Sequence, residues 1–120
     1  MLEQIDYKTI FHYFEEISKV PRGSYHNEKI SDYLVQFAKE RGIAYRQEEC
    51  GNVIFRKPAS ADCRSGKTVM MQGHMDMVAV QEADCKKDME KEGLDLEING
   101  DLISAKGTSI GGDDGIAVAY

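Results

Sequence analysis

TVMMQGHMDMVAV, residues 68–80, is the stretch on which the reading of this chain turns. Thr68 to Gly73 is a short apolar run entered from a polar stretch, Ala59 to Lys67, and a run of that length and bounding predicts a buried β-strand. Met75, Met77, Val78 and Val80 carry the apolar character onward. In an extended segment the side chains at i and i+2 share one side. His74 and Asp76 therefore point together into a crevice at the strand's carboxyl end, where α/β proteins place their ligands. A neutral imidazole is a common zinc ligand, and a carboxylate beside it fixes ring and tautomer. A surface histidine with a chance HxD spacing accounts for the same three residues.

Downstream, residues 82–97 hold seven acidic and three basic side chains, which reads as a solvated excursion. Leu94–Ile98 and Leu102–Ala105 flank Asn99-Gly100, a pair suited to the positive φ angles of a tight hairpin turn. The glycine-dense run GTSIGGDDG, residues 107–115, then leads into Ile116–Ala119, the start of an apolar helix. Two adjacent carboxylates, Asp113 and Asp114, at a helix N-terminus suit the helix dipole and can share oxygens between divalent cations. A plain glycine turn in which one aspartate caps the helix accounts for the run equally. Neither a phosphate loop nor a calcium loop fits the glycine positions.

Upstream, Ile10, Phe11, Phe14 and Ile17 recur at helical spacing after Asp6, a suitable N-cap, and Pro21 and Gly23 end that helix. A second helix follows Ser24–Asn27, with Ile30, Leu34, Phe37 and Ala38 on its stripe and Gly42 as its stop. Ile43–Glu48 and Val53–Arg56, joined through Cys50-Gly51-Asn52, read as a hairpin. The fold class expected is α/β, two helices followed by a mixed sheet. The chain ends just as an apolar helix begins, which reads as an interruption.

The 120 residues include 21 acidic and 15 basic side chains, a net charge of −6. A chain of this size supports one hydrophobic core. Its acidic balance disfavours nucleic acid and anionic membranes as partners and favours a cation. Cys50, Cys63 and Cys85 are odd in number and widely spaced, so no disulfide framework is expected, and a zinc site built from them would need three distant loops to converge. Residues 1–16 lack the features of a targeting peptide, and no apolar run reaches the ~20 residues of a membrane helix. The expected location is the cytoplasm.

QGHMDMV after a strand, with Asp113 of GTSIGGDDGIAVA 37 residues beyond Asp76, resembles the dinuclear-zinc exopeptidases related to aminoacylases and bacterial dipeptidases. ISKVPRGSYHNEKISDYLVQFAKERG, GNVIFRKPA and INGDLISAKGTSIGGDDG narrow the likeness to the aminoacyl-histidine (Xaa-His) dipeptidase group, and it covers nearly the whole chain. The resemblance implies the N-terminal part of a three-layer catalytic domain, residues 1–120, without the dimerisation and lid domain. It makes His74 a ligand of one zinc and Asp76 the catalytic carboxylate that steadies its imidazole. Asp113 becomes the aspartate bridging two Zn2+ ions, with Mn2+ or Co2+ as substitutes, and the Asp113–Asp114 peptide bond becomes cis. Asp114 stands where the family often has Asn, and Ala79 where it has Pro. The implied activity is hydrolysis of Xaa-His dipeptides, with metal-polarised carbonyl and metal-activated water. The family takes its general base from a later Glu-Glu pair and further ligands from a later carboxylate and a late histidine, none of which follows Asp114. This chain alone is therefore expected to be inactive. The full-length family is dimeric, and a chain exposing this much apolar surface is expected to self-associate.

Two other readings stay open: a deacylase of the same zinc family, and a noncatalytic module that binds a cation or a partner chain. His12 and His26 lie outside any suitable motif, and the cluster of Met70, Met71, Met75 and Met77 reads as core filling rather than a soft-metal site.

Overall fold

The chain was analysed as a computed structural model, which describes residues 7–63 and 66–120. The first helix, α1, spans Tyr7–Ser18. The Asp6 cap expected for it lies outside the described residues. Phe14 and Ile17 are buried on its inner stripe, with Ile10 and Tyr13 packed alongside. Phe11, expected on that stripe, is about half exposed because it sits one residue round from Ile10, past the stripe's edge.

Helix α2 covers Glu28–Glu40 and buries Ile30, Ser31, Val35 and Ala38. It stops where the sequence says it should. Gly42 takes φ 63°, its amide donates to the Lys39 carbonyl at 3.2 Å, and the Ile43 amide donates to the Ala38 carbonyl at 2.9 Å. This is the paired C-terminal closure that a residue in the left-handed region permits, and glycine reaches that region without a Cβ clash.

Strands β1 (Ala44–Gln47) and β2 (Val53–Arg56) form the expected hairpin, pairing Tyr45 with Phe55. It lies on α2, with the Gln47 amide donating to the Ser31 hydroxyl at 2.9 Å and Phe55 stacked on Phe37 at 6.2 Å between ring centroids. Strands β3 (Leu96–Asn99) and β4 (Leu102–Ala105) form the second hairpin, and Gly100 supplies its turn at φ 63°. Helix α3 spans Gly112–Ala119 and packs across α1. Phe14 and Ile17 of α1, Ile30 of α2 and Ala119 of α3 share one cluster, so the core is where the three helices meet.

The α/β class is observed, but its sheets differ from the expected mixed sheet. Both ladders among the described residues are antiparallel hairpins, and the parallel pairing is a single bridge between Gly23 and Met77. The buried strand expected at residues 68–73 is not formed. Val69, Met70 and Met71 are 83%, 88% and 91% exposed. An apolar run becomes a strand only when a neighbouring backbone accepts and donates its ladder bonds, and among the described residues no strand or bridge pairs with this one. The methionine cluster divides for the same reason. Met77 is buried and Met75 packs against the core, whereas Met70 and Met71 face outward. Among the described residues, no helix is long and apolar enough to cross a membrane.

Ile30 is fully buried at the junction of the three helices. Ile30→Ala is therefore expected to cost about 2–5 kcal/mol by removing buried methyl groups and leaving a cavity, whereas Ile98→Ala, on the exposed face of β3, is expected to stay within about 0.5 kcal/mol of the parent. Urea unfolding of both variants checks the contrast, and equal losses would contradict it.

Candidate functional site

Three segments far apart in sequence converge beside the helical core. The Pro21–Ser24 loop leaves α1, the HMDM segment runs through residues 74–77, and the glycine-dense run 107–113 enters α3. Backbone hydrogen bonds hold them together. The Met77 amide donates to the Arg22 carbonyl and the Ser24 amide to the Met77 carbonyl, both at 2.9 Å. On the other flank, the Ser109 amide donates to the Val80 carbonyl at 2.9 Å, and the Ser109 hydroxyl donates to the Val78 carbonyl at 2.7 Å.

This arrangement brings His74, Asp76 and Asp113 into one group. The His74 Nδ1 lies 3.0 Å from the Asp76 carbonyl oxygen and 3.1 Å from Asp76 Oδ1. With Nδ1 as donor to that pair, the other ring nitrogen is left facing outward. Its neighbour there is Asp113 Oδ1, 3.2 Å from Nε2. Asp113 is otherwise open to solvent, its side chain 95% exposed. The structure thus brings His74, Asp76 and Asp113 together although His74 and Asp113 are 39 positions apart in sequence. His12 and His26 are exposed and lie outside it, with His26 Nε2 3.7 Å from Glu90 Oε1.

The Asp113–Asp114 peptide bond is cis, as the family resemblance implies. Asp113 and Asp114 depart from helical angles although they fall inside the bounds of α3, so the regular helix begins after them. Two glycines permit the close approach. A Cβ on Gly73 would lie 2.9 Å from Asp114 Oδ2, and one on Gly111 would lie 2.6 Å from Met77 Sδ, with Gly111 itself at φ 65°.

Ser24 and Arg22 belong to the site and were not singled out in the sequence. The Ser24 hydroxyl donates to Asp76 Oδ2 at 2.6 Å, so both carboxylate oxygens of Asp76 are engaged, one by serine and one by histidine. Arg22 is buried, donating from Nη1 to the Met75 carbonyl at 3.3 Å and from Nη2 to the Gly111 carbonyl at 2.7 Å. A lone arginine or serine in an interhelical loop carries no periodicity or spacing. The only signal is the PRGS stretch itself within the segment that resembles the family.

The electrostatics follow from these contacts. Asp113 beside Nε2 holds the His74 pKa above its ordinary value, with Asp76 acting in the same direction and loss of solvent opposing both. The Ser24 hydroxyl holds the Asp76 carboxyl below its ordinary range, assisted by His74 and opposed by partial burial. A protonated His74 donates to an aspartate from each nitrogen, and the proton on Nε2 occupies the direction that a cation would take. Two ligands about 2.0–2.1 Å from a tetrahedral zinc lie about 3.3–3.4 Å apart, close to the 3.2 Å between Nε2 and Oδ1. The two donors fit one edge of such a coordination shell. Among the described residues, no set of three or more imidazole, thiolate or carboxylate groups is arranged to complete it.

No family model matches the chain. Over 118 residues, 98% of the chain, it is 36% identical to the cytosol non-specific dipeptidase of Escherichia coli K12. The chain is homologous to that dipeptidase. Its structure superimposes on the crystal structure of aminoacylhistidine dipeptidase from Vibrio alginolyticus with a TM-score of 0.89 at 32% identity, over 99% of the chain. In both comparisons it spans 24%, about a quarter, of the relative's length. The dipeptidase fold of that crystal structure therefore accounts for the two helices, the paired hairpins and the entry into α3.

Ser24→Ala is expected to raise the titration midpoint of Asp76 in the metal-free chain, because the largest interaction favouring its ionised form is removed. A carboxylate with a depressed folded pKa contributes stability above the ordinary aspartate range and loses it as pH falls through the folded value. The stability gap between parent and variant is accordingly widest near neutrality and closes in acid. Carbon-13 NMR titration of the Asp76 carboxyl checks this, and an unmoved midpoint would contradict it.

Proposed function

We propose that the chain forms one wall of a zinc-dependent dipeptidase site that cleaves the peptide bond of Xaa-His dipeptides. The observation that carries this reading is the 3.2 Å approach of His74 Nε2 and Asp113 Oδ1, with Asp76 behind the imidazole. Homology to dipeptidases over nearly the whole chain supports the hydrolytic class. The two relatives are named for different breadths of substrate, one non-specific and one for aminoacyl-histidine. The narrower preference rests on the likeness of the segments outside the motif and on the structural superposition. The E. coli relative is named for the cytosol, and the same compartment is proposed for this chain.

The chain's own residues have separable parts in this reading. His74 presents Nε2 as a neutral ligand, which requires its remaining proton to be on Nδ1, and Asp76 holds it there. Ser24 keeps Asp76 ionised and oriented. Asp113 projects its carboxylate into solvent, free to engage one cation or to bridge two. Zinc bound there supplies Lewis-acid polarisation of a peptide carbonyl and a lowered pKa for a coordinated water. A proton and a zinc ion compete for His74 Nε2, so binding weakens in acid as the imidazole charges. The remaining ligands and the general base are proposed to lie outside these 120 residues, as does the dimerisation region, and the chain alone is proposed to be inactive.

Calorimetric titration with Zn2+ tests the site. Asp76→Asn is expected to weaken binding about 10–100-fold, the usual effect of losing a group that orients a ligand, and His74→Ala or Asp113→Asn to weaken it more. Parent-like affinity in both ligand variants would overturn the proposal. In a zinc-supplemented assay for histidine release from an Xaa-His dipeptide, the 120-residue chain is expected to stay at blank level, and turnover would refute its proposed dependence on further residues.

A further inference from the structure

Among the described residues, Arg22 is the one buried side chain that carries a charge, 2% exposed. Its hydrogen bonds go to two carbonyl oxygens rather than to a carboxylate, and its Nε is buried without a partner. A guanidinium in that condition is expensive to keep from water, and an apolar side chain of similar volume would serve packing better. What an apolar side chain cannot do is tie two backbones together. The carbonyl of Met75 sits between His74 and Asp76, and the carbonyl of Gly111 lies two residues before Asp113. The rigid guanidinium plane, with its fixed donor directions, sets the distance between the two acceptors.

The glycines around the second segment are shaped to this head group. A Cβ on Gly111 would lie 2.7 Å from Arg22 Nη2, and one on Gly115 would lie 2.6 Å from the same nitrogen. Two glycines of the GGDDG run thus leave the space that the guanidinium fills. The same loop carries Ser24, whose hydroxyl holds Asp76. Arg22 and Ser24 therefore act on the two sides of one group of side chains.

We propose that Arg22 is a positioning residue for the metal site: its guanidinium bridges the Met75 and Gly111 carbonyls and so fixes the spacing at which His74 Nε2 and Asp113 share a cation. The inference rests on the zinc-site reading of the preceding section, while the spacing itself is a property of the metal-free chain.

The test uses the 120-residue chain with Arg22→Met, Arg22→Lys, His74→Ala and, as a packing control, Ile30→Val. Three readouts are taken: the nuclear Overhauser effect between the His74 ring and the Asp113 side chain without metal, Zn2+ affinity by competition with a chromophoric chelator, and the urea midpoint. Arg22→Met is expected to lose the Overhauser contact and about 10–100-fold in zinc affinity, with Arg22→Lys in between. Ile30→Val is expected to lower the urea midpoint and leave zinc affinity unchanged. An Arg22→Met chain that keeps both contact and affinity, while His74→Ala abolishes zinc binding, overturns the inference and leaves the zinc site standing. An Ile30→Val chain that loses zinc affinity in proportion to its stability reduces Arg22 to a packing role and also overturns it. Zinc binding that survives His74→Ala overturns the zinc site, and the inference falls with it. Should Arg22→Met not fold, Arg22→Lys carries the same readouts. Scalar couplings across the hydrogen bonds from Arg22 Nη to the Met75 and Gly111 carbonyl carbons are expected in the parent, and their absence from a well-ordered spectrum would overturn the inference without any substitution.

Discussion

The site depends on the backbone of residues 77–80 being hydrogen-bonded on both flanks. On one side Met77 exchanges bonds with Arg22 and Ser24, and on the other Val80 accepts from the amide of Ser109. This short zipper brings three segments into register although the chain between them is long. Closing such loops costs conformational entropy that grows only slowly with length, so the intervening excursion of residues 82–97 is tolerated. His74 and Asp113 meet because the backbone segments that carry them are pinned close by, at Met77 to Val80 after the histidine and at Ser109 before the aspartate. The side-chain contacts of Ser24, Ser109 and Arg22 reinforce the same junction.

Charge supports the proposed cation. The chain carries a net charge of −6, and at this junction carboxylate oxygens of Asp76 and Asp113 lie 3.1 and 3.2 Å from the two nitrogens of one imidazole, with Asp114 beside Gly73. Arg22 is the buried positive counterpart, yet it lies behind the group and bonds to carbonyls, so the solvent-facing side of the cluster stays anionic. A proton on His74 partly balances that charge in the metal-free chain, which is the physical reason the imidazole holds its proton more tightly than usual. A divalent ion balances it better, provided further ligands complete its shell.

Much of this was legible in the sequence. Helix periodicity located α1 and α2, Gly42 marked the end of α2, and Asn99-Gly100 marked the second hairpin, because each is a local signal written in neighbouring residues. The association of His74 with Asp76 was also local, and the family likeness added Asp113 and the cis bond. The failures share a cause. The apolar run at residues 68–73 has the composition of a buried strand, but burial and pairing belong to the neighbours and not to the run, and Val69, Met70 and Met71 face solvent. Phe11 fell off the buried stripe because the width of a stripe depends on what packs against it. Arg22 and Ser24 leave no signal in the sequence because their partners, Met75, Asp76 and Gly111, lie more than fifty residues away. Such contacts have no spacing to detect.

The central claim is that an imidazole and a carboxylate 39 residues apart hold the same ion. X-ray absorption spectroscopy of the zinc-loaded 120-residue chain tests it most directly, because it reports the atoms bonded to the metal. The account predicts an imidazole signature from one histidine together with oxygen neighbours at about 2.0–2.2 Å, with the imidazole signature lost in His74→Ala. A spectrum without imidazole scattering, or one dominated by sulfur neighbours, would contradict it.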